Sequence, residues 1–177
     1  MGETEGAGPG KAAAAGLTLL AVYFTWVHFA TPGKWVPLLD HVNLAIHETG
    51  HPVFGLLHWR LNVYGGTAFQ LLFPLLFAFE FRRRGAAAGF AFSLLWFGES
   101  LLNTAHYMAD ARAQLLPLVG GGLHDWTEIF SRWGVLRHDT AIARVVQLLS
   151  LGVFAATVAW LWLRVLNDAD VRRGYRM

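Results

Sequence analysis

The chain contains no cysteine. Disulfides, thiolate nucleophiles and cysteine-held zinc are therefore excluded, and a transition-metal site has only His, Asp and Glu to draw on. Charge is scarce too: 15% of the residues are Asp, Glu, Lys or Arg, against about 25% in an ordinary soluble domain. The net charge is +2 and no long basic stretch occurs, so nothing supports nucleic-acid binding. What is abundant is apolar surface. Hydrophobic residues make up 55% of the 177 positions, and several runs are long enough to cross a bilayer. These facts predict an all-α, polytopic membrane protein with one compact helical domain.

Residues 1–10 read as a disordered tail, 11–167 as the transmembrane domain and 168–177 as a C-terminal tail. Five spans are expected. The first runs from Ala12 to about Ala30. It is read as a retained helix because Glu3 and Glu5 acidify the leader and no A-x-A cleavage site follows. Pro32-Gly33 breaks the chain, and the second span runs from Trp35 to Leu57 with Trp35 and Trp59 as interfacial flanks. Pro52 inside it favours a kink. The third span opens at Gly65-Gly66 and ends at Phe81 before Arg82, Arg83 and Arg84. The fourth covers Ala86 to Asp110, and the fifth starts at Asp139 or Thr140 and ends near Leu166.

Between the last two spans, residues 113–138 form a long connection containing Gly120-Gly121-Gly122. Asp125-Trp126-Thr127-Glu128 reads there as a capping-box variant. It opens a short amphipathic helix whose Trp126, Ile129, Phe130 and Trp133 suit the outer membrane surface. With five spans, Arg82–Arg84 and the C-terminal Arg172, Arg173 and Arg176 fall on one side. The positive-inside rule makes that side cytoplasmic and puts the N-terminus outside. The Ala- and Arg-rich composition suggests a bacterial inner membrane.

Inside the second span stands one HExxH sequence, His47-Glu48-Thr49-Gly50-His51. In a helix its two imidazoles lie one turn apart on one face and can ligate a single Zn²⁺. Glu48 then lies beside the metal as general base toward its water. Chance alone places such a sequence in roughly one comparable chain per hundred. The competing account is a pair of histidines hydrogen-bonded between helices. A polar triad in lipid is costly without a function, which favours the site.

The fourth span carries a second polar stripe of Glu99, Asn103, His106 and Asp110 at helical spacing. A catalytic zinc takes three protein ligands and one water position. Asp110 is the preferred third ligand, with His106, His124 and Asp125 as open alternatives, the last two on a loop that the glycines could fold back. Asn103 either hydrogen-bonds a substrate carbonyl or links helices, and Glu99 reads as a buried partner. Gly65, Gly66 and Gln70, just past the motif, allow close backbone approach or helix packing.

HExGH in a membrane helix, followed by a later helix bearing Asn103 and then Asp110, resembles the site-two protease group of intramembrane zinc metalloproteases. The resemblance implies Zn²⁺ held by His47, His51 and Asp110, Glu48 as general base, and a peptide or membrane-protein substrate. The segment from Asn103 to Asp110 lacks the Pro, Leu and Gly of that group's second motif. The runs ADARAQ (109–114) and GGGLHDW (120–126) also resemble an uncharacterised set of bacterial membrane proteins, which implies no activity. Two other readings compete: a haem or metal-binding protein without catalysis, using His47 with His106, and a metal transporter. Five spans without an evident repeat weigh against transport.

Overall fold

The computed structural model describes residues 9–119 and 122–174; most of the expected N-terminal tail (1–8) and two of the three loop glycines, Gly120 and Gly121, lie outside the described residues. Every regular element among the described residues is helical: α1 (Lys11–Ala30), α2 (Leu39–Leu57), α3 (Asn62–Arg83), α4 (Ala87–Ala109), α5 (Asp125–Arg132) and α6 (Asp139–Gly174). Single 3-10 turns precede α3 and α6. Three segments are long and apolar enough to cross a membrane: Lys11–Ala30, Trp59–Arg83 and Leu136–Asp168. Their outward faces carry Leu19, Val22, Trp26 and Phe29 on α1, Leu75, Leu76 and Phe79 on α3, and Leu148, Leu149, Leu163 and Leu166 on α6, all exposed. So large an apolar band is satisfied by lipid, not by water.

Local chemistry sets the ends. Gly85 takes φ 67° after α3, and the amide of Ala86 donates to Phe81 O at 2.9 Å, closing the helix in a Schellman turn. Asp139 opens α6: its Oδ1 accepts from the Thr140 amide at 2.6 Å. The same carboxylate binds Arg112, with Nη2 to Oδ1 at 2.8 Å, tying the end of α4 to the start of α6. The expected C-terminal tail continues α6 as helix to Gly174.

The order of contacts fixes the helix directions. Thr18 meets Trp162, Phe24 meets Phe154 and His28 meets Gln147, so α1 and α6 are antiparallel. Phe81 packs on Gly89, Phe77 on Trp96, and Gln70 donates to Asn103, so α3 and α4 are antiparallel. Phe90 meets Trp160 and Ser150 donates to Gly98 O, so α4 and α6 are antiparallel as well. It follows that α1 and α4 run in the same direction. Their last turns lie side by side, with the His28 and His106 rings 6.5 Å apart.

The second expected span behaves differently. After α1 the chain turns inward through residues 31–38, where Val36 is buried and Lys34 and Leu38 adopt φ 48° and 67°. α2 then begins beside the middle of α4: Trp96 Nε1 donates to Asn43 Oδ1 at 2.7 Å, and Asn43 Nδ2 donates to Glu99 Oε2 at 2.7 Å. From there it climbs antiparallel to α3, His47 beside Gln70, Gly50 against Gly65, and His51 beside Asn62. The segment 31–57 thus leaves and returns at the same end of the bundle. α5 closes that end. Its Trp126, Ile129 and Phe130 pack on Ala105, Met108 and Ala143, so its apolar face is buried against protein where the sequence alone suggested lipid.

The α2–α3 crossing leaves no room for side chains. A Cβ on Gly50 would collide with the Gly65 backbone carbonyl, and one on Gly65 with that of Gly50. Neither backbone can yield cheaply, and overpacking of this kind costs about 1–3 kcal/mol. Gly50→Ala and Gly65→Ala should each lower the thermal midpoint of the detergent-solubilised protein. Gly152→Ala, which meets only open space, gains helix propensity of about 1 kcal/mol and should not lower it.

Candidate functional site

The two histidines of the HExxH sequence share one face of α2, and each ring is held at both nitrogens. His47 Nδ1 lies 3.2 Å from Gln70 Oε1, and its Nε2 lies 3.0 Å from Asp125 Oδ2. His51 Nδ1 lies 2.9 Å from the Asn62 carbonyl, and its Nε2 lies 3.3 Å from the same Asp125 oxygen. Both Nδ1 atoms therefore donate, and both Nε2 atoms converge on one carboxylate. His47, Glu48 and His51 offer ligand atoms within 4.8 Å of one another, a group that could hold a metal ion. Glu48 is exposed, while His47 is 8% exposed.

The orientation of Gln70 follows from what lies behind it. Its Nε2 donates to Asn103 Oδ1 at 3.1 Å, and Asn103 Nδ2 donates to Asp40 Oδ1 at 3.2 Å. A carboxylate only accepts, so Asp40 fixes the direction of both amides and turns Gln70 Oε1 toward His47. Asp40 is 1% exposed and also accepts from the Val36 amide at 2.6 Å. Of the two readings of Asn103, substrate contact or helix link, these bonds make it a link between α2, α3 and α4. It also lines a cavity described below. Glu99 is the buried partner of Asn43, as its stripe suggested.

Asp110 does not stand at the imidazoles. Its Oδ1 and Oδ2 accept from the amides of Leu115 and Leu116 at 2.9 and 3.0 Å, pinning the loop that follows α4. His124 Nε2 lies 3.4 Å from Asp110 Oδ2, so His124 also faces away from the motif. His124 is the N-cap of α5, its Nδ1 accepting from the Thr127 amide at 3.3 Å. Burial holds its imidazole below the ordinary histidine range, which suits a ring that must accept. The expected capping box, with Asp125 as cap, is therefore shifted by one residue, and Asp125 is released to face α2. His106 meets His28 and not the motif. The carboxylate that stands at the imidazoles is Asp125, one of the open alternatives, and not Asp110, because the loop after α4 folds back over α2.

Asp125 is held by more than the rings. Its amide donates to Tyr107 Oη at 3.2 Å, and the Tyr107 ring packs tilted against His124, centroids 4.2 Å apart, and stands edge-on to His47 at 6.1 Å. Burial pushes the Asp125 carboxyl up, but the hydrogen bonds from His47 and His51 outweigh it and hold it below the usual carboxylate range. Tyr107 carried no signal in the sequence. Gly66 did, as one of the small residues after the motif: a Cβ there would stand 2.5 Å from His47 Nε2 and 2.7 Å from His51 Nε2. Glycine at 66 is what lets the ring nitrogens face the space between α2, α3 and α5.

Two cavities meet at this point. An inner one of about 370 Å³ lies among α2, α3, α4 and the 116–119 loop, and an outer one of about 440 Å³ lies under α5. His47, Glu48 and Tyr107 border both. Compared with known proteins, the chain matches no family model, no curated protein and no solved structure.

Losing the partner that orients a metal-ligating histidine typically costs 10–100-fold in metal affinity. Gln70→Leu should weaken divalent-metal binding by about that factor while leaving the helix content unchanged, as isothermal titration and circular dichroism would show. Gly66→Ala should do more, because the new methyl occupies the ring nitrogens' space. A Gly66→Ala protein that binds metal as wild type does would contradict this account of the site.

Proposed function

We propose that the protein is an intramembrane zinc-dependent hydrolase, a metalloprotease that cleaves a peptide bond in or beside a membrane segment. The observation that carries this reading is the double engagement of both rings. If protons alone filled the site, each imidazole would carry one on both nitrogens. Two imidazolium ions would then share one carboxylate in a nearly buried place, a costly arrangement. A divalent cation removes the conflict: each Nδ1–H still donates, and each Nε2 lone pair meets the metal. The Nε2–Oδ2 separations of 3.0 and 3.3 Å support this. Ligands about 2.0–2.1 Å from a tetrahedral zinc stand about 3.3–3.4 Å apart.

His47, His51 and Asp125 hold the ion, a nitrogen- and oxygen-only donor set that suits zinc in a chain without cysteine. Bound zinc supplies a polarised carbonyl and a water acidified to a pKa of about 7. The chain's own residues do the rest. Glu48, open to both cavities, accepts the water's proton as the water oxygen bonds to the carbonyl carbon. It then delivers that proton to the leaving nitrogen as the C–N bond breaks. The likeness to the site-two protease group supports the same roles for His47, His51 and Glu48, with the carboxylate supplied by α5.

The helix directions support a topology of four crossings, by α1, α3, α4 and α6, with α2 rising through half the membrane. Irregular backbone such as residues 31–38 survives at membrane depth where protein covers it. Both termini and Arg82–Arg84 then share one side, which the positive-inside rule makes cytoplasmic. The N-terminus expected outside is inside in this reading, and the site opens on the opposite face. The membrane is a bacterial inner membrane.

Purified wild type should contain about one zinc per chain. Asp125→Ala should lose it and Asp110→Ala should keep most of it. Glu48→Gln should keep zinc and lose peptide hydrolysis by about 10²-fold or more. A zinc-free wild type, or a fully active Glu48→Gln protein, would overturn the reading. The absence of native cysteine allows a direct test of topology. Cysteines placed singly at Gly10 and Gly85 should react with a membrane-impermeant maleimide from the same side, and one at Gly134 from the other. Labelling of positions 10 and 85 from opposite sides would restore five crossings.

A further inference from the structure

The inner cavity lies on the apolar side of Glu48 and reaches from His47 past Leu44 to Thr104 and Asn103. Its volume of about 370 Å³ is within the range of small-molecule sites. At about 30 Å³ per water-sized unit it holds on the order of a dozen non-hydrogen atoms. A transmembrane helix, about 10 Å across, does not fit. Asp40, Asn103 and Gln70 line it too, but their polar atoms already bind one another.

Lys34, Thr67 and His106 line it as well, and Thr104 stands out among these for a hydroxyl that is both buried and unpaired. Thr18, Thr25, Thr49 and Thr157 each return a hydrogen bond to the carbonyl four residues back. Thr104 is 2% exposed and its hydroxyl has no partner. A buried, unpaired hydroxyl is uncommon in a native protein and calls for a partner that is not in the chain. The outer cavity differs in character, being bordered by Asp125, Glu128, Asn62 and Arg132. An amine released by hydrolysis gains charge, and carboxylates and water favour it there.

We propose that the inner cavity is the substrate's acyl-side pocket. It takes one or two apolar residues of an unwound peptide just before the scissile bond, and Thr104 hydrogen-bonds the backbone of that segment. The amine side leaves through the outer cavity. This inference rests on the zinc hydrolase reading and names its substrate class more closely.

Three hydroxamates test it, all of which would chelate the metal: acetohydroxamate, the hydroxamate of a capped Leu-Leu dipeptide, and dodecanoyl hydroxamate. On the zinc-loaded full chain the dipeptide compound should bind at least about 100-fold more tightly than acetohydroxamate. Leu44→Trp, which fills the cavity, should remove most of that advantage, with zinc content as the control for folding. Thr104→Val keeps the shape and should weaken the dipeptide compound about 5–10-fold while leaving dodecanoyl hydroxamate unchanged. Equal affinity of the dipeptide compound and acetohydroxamate overturns the pocket alone, as does indifference to both substitutions. Tighter binding of the dodecanoyl compound replaces the peptide by a fatty acyl chain and overturns the peptide assignment. Failure of acetohydroxamate itself to bind overturns the hydrolase reading and this inference with it.

Discussion

Four imidazole nitrogens on one turn of α2 all face oxygen, and the rest of the structure is arranged around that demand. Two of those oxygens, on Gln70 and Asn62, can only receive a hydrogen. They fix both rings with Nε2 pointing into the same small space, where Asp125 waits. Each neighbouring feature serves this placement. The Gly50–Gly65 contact draws α2 and α3 together until α3 can supply both acceptors. Gly66 clears the volume in front of the rings. α5 is locked into the bundle through Trp126, Ile129 and Phe130, so the carboxylate at its first residue is held on rigid structure. Precision of this kind is what distinguishes a site from a chance meeting of polar residues.

A polar site in a bundle of this composition needs a way to be polar without opening the lipid-facing surface. The helix arrangement provides one. α2 packs along α3 and meets α4 through Asn43, turning Asp40, Asn43, His47 and Gly50 inward while Val42, Val53, Leu56 and Leu57 stay exposed. Its polar residues are satisfied inwardly. Asn43 takes Trp96 Nε1 and gives to Glu99 and Asp40. Asp40 closes the chain of amides that ends on His47. Each of these groups would cost several kcal/mol if left alone in hydrocarbon. Linked, they form a firm base beneath the motif, while the outer cavity under α5 leaves Glu48 a route to water.

Reading the sequence succeeded where the signal was local and failed where it depended on the return of a distant segment. The long apolar runs gave α1, α3, α4 and α6 to within a few residues at most of their ends, because helix periodicity and end residues such as Asp139 and Gly85 act over one or two turns. HExxH was legible for the same reason: its geometry is one turn of one helix. The third carboxylate was not. Asp110 and Asp125 are equally plausible by chemistry, and only the fold-back of the loop after α4 decides between them. Asp110 is consumed in making that loop, through Leu115 and Leu116. His124 takes the cap that Asp125 was expected to fill. The depth of α2 was illegible too. A helix that begins beside the middle of α4 can have nearly the same composition as one that runs its full length, and Lys34 and Leu38 do not announce a left-handed backbone the way glycine does.

The competing functions make demands that these residues do not meet. A haem held by two histidines needs one imidazole on each face of the ring, from groups set well apart. His47 and His51 are a turn apart with their Nε2 atoms converging, and the suggested alternative partner, His106, lies against His28. Ion transport needs a polar path with an exit at each end. The polar chain here ends at Glu99, with Trp96 donating to its Asn43 partner and Phe77 packed on Trp96. Each carboxylate and amide in it is tied to a neighbour. The proposed hydrolysis asks for a site that opens at one end, a carboxylate such as Glu48 beside two oriented imidazoles, and separate space for the two halves of a broken bond, and the cavities on either side offer that space.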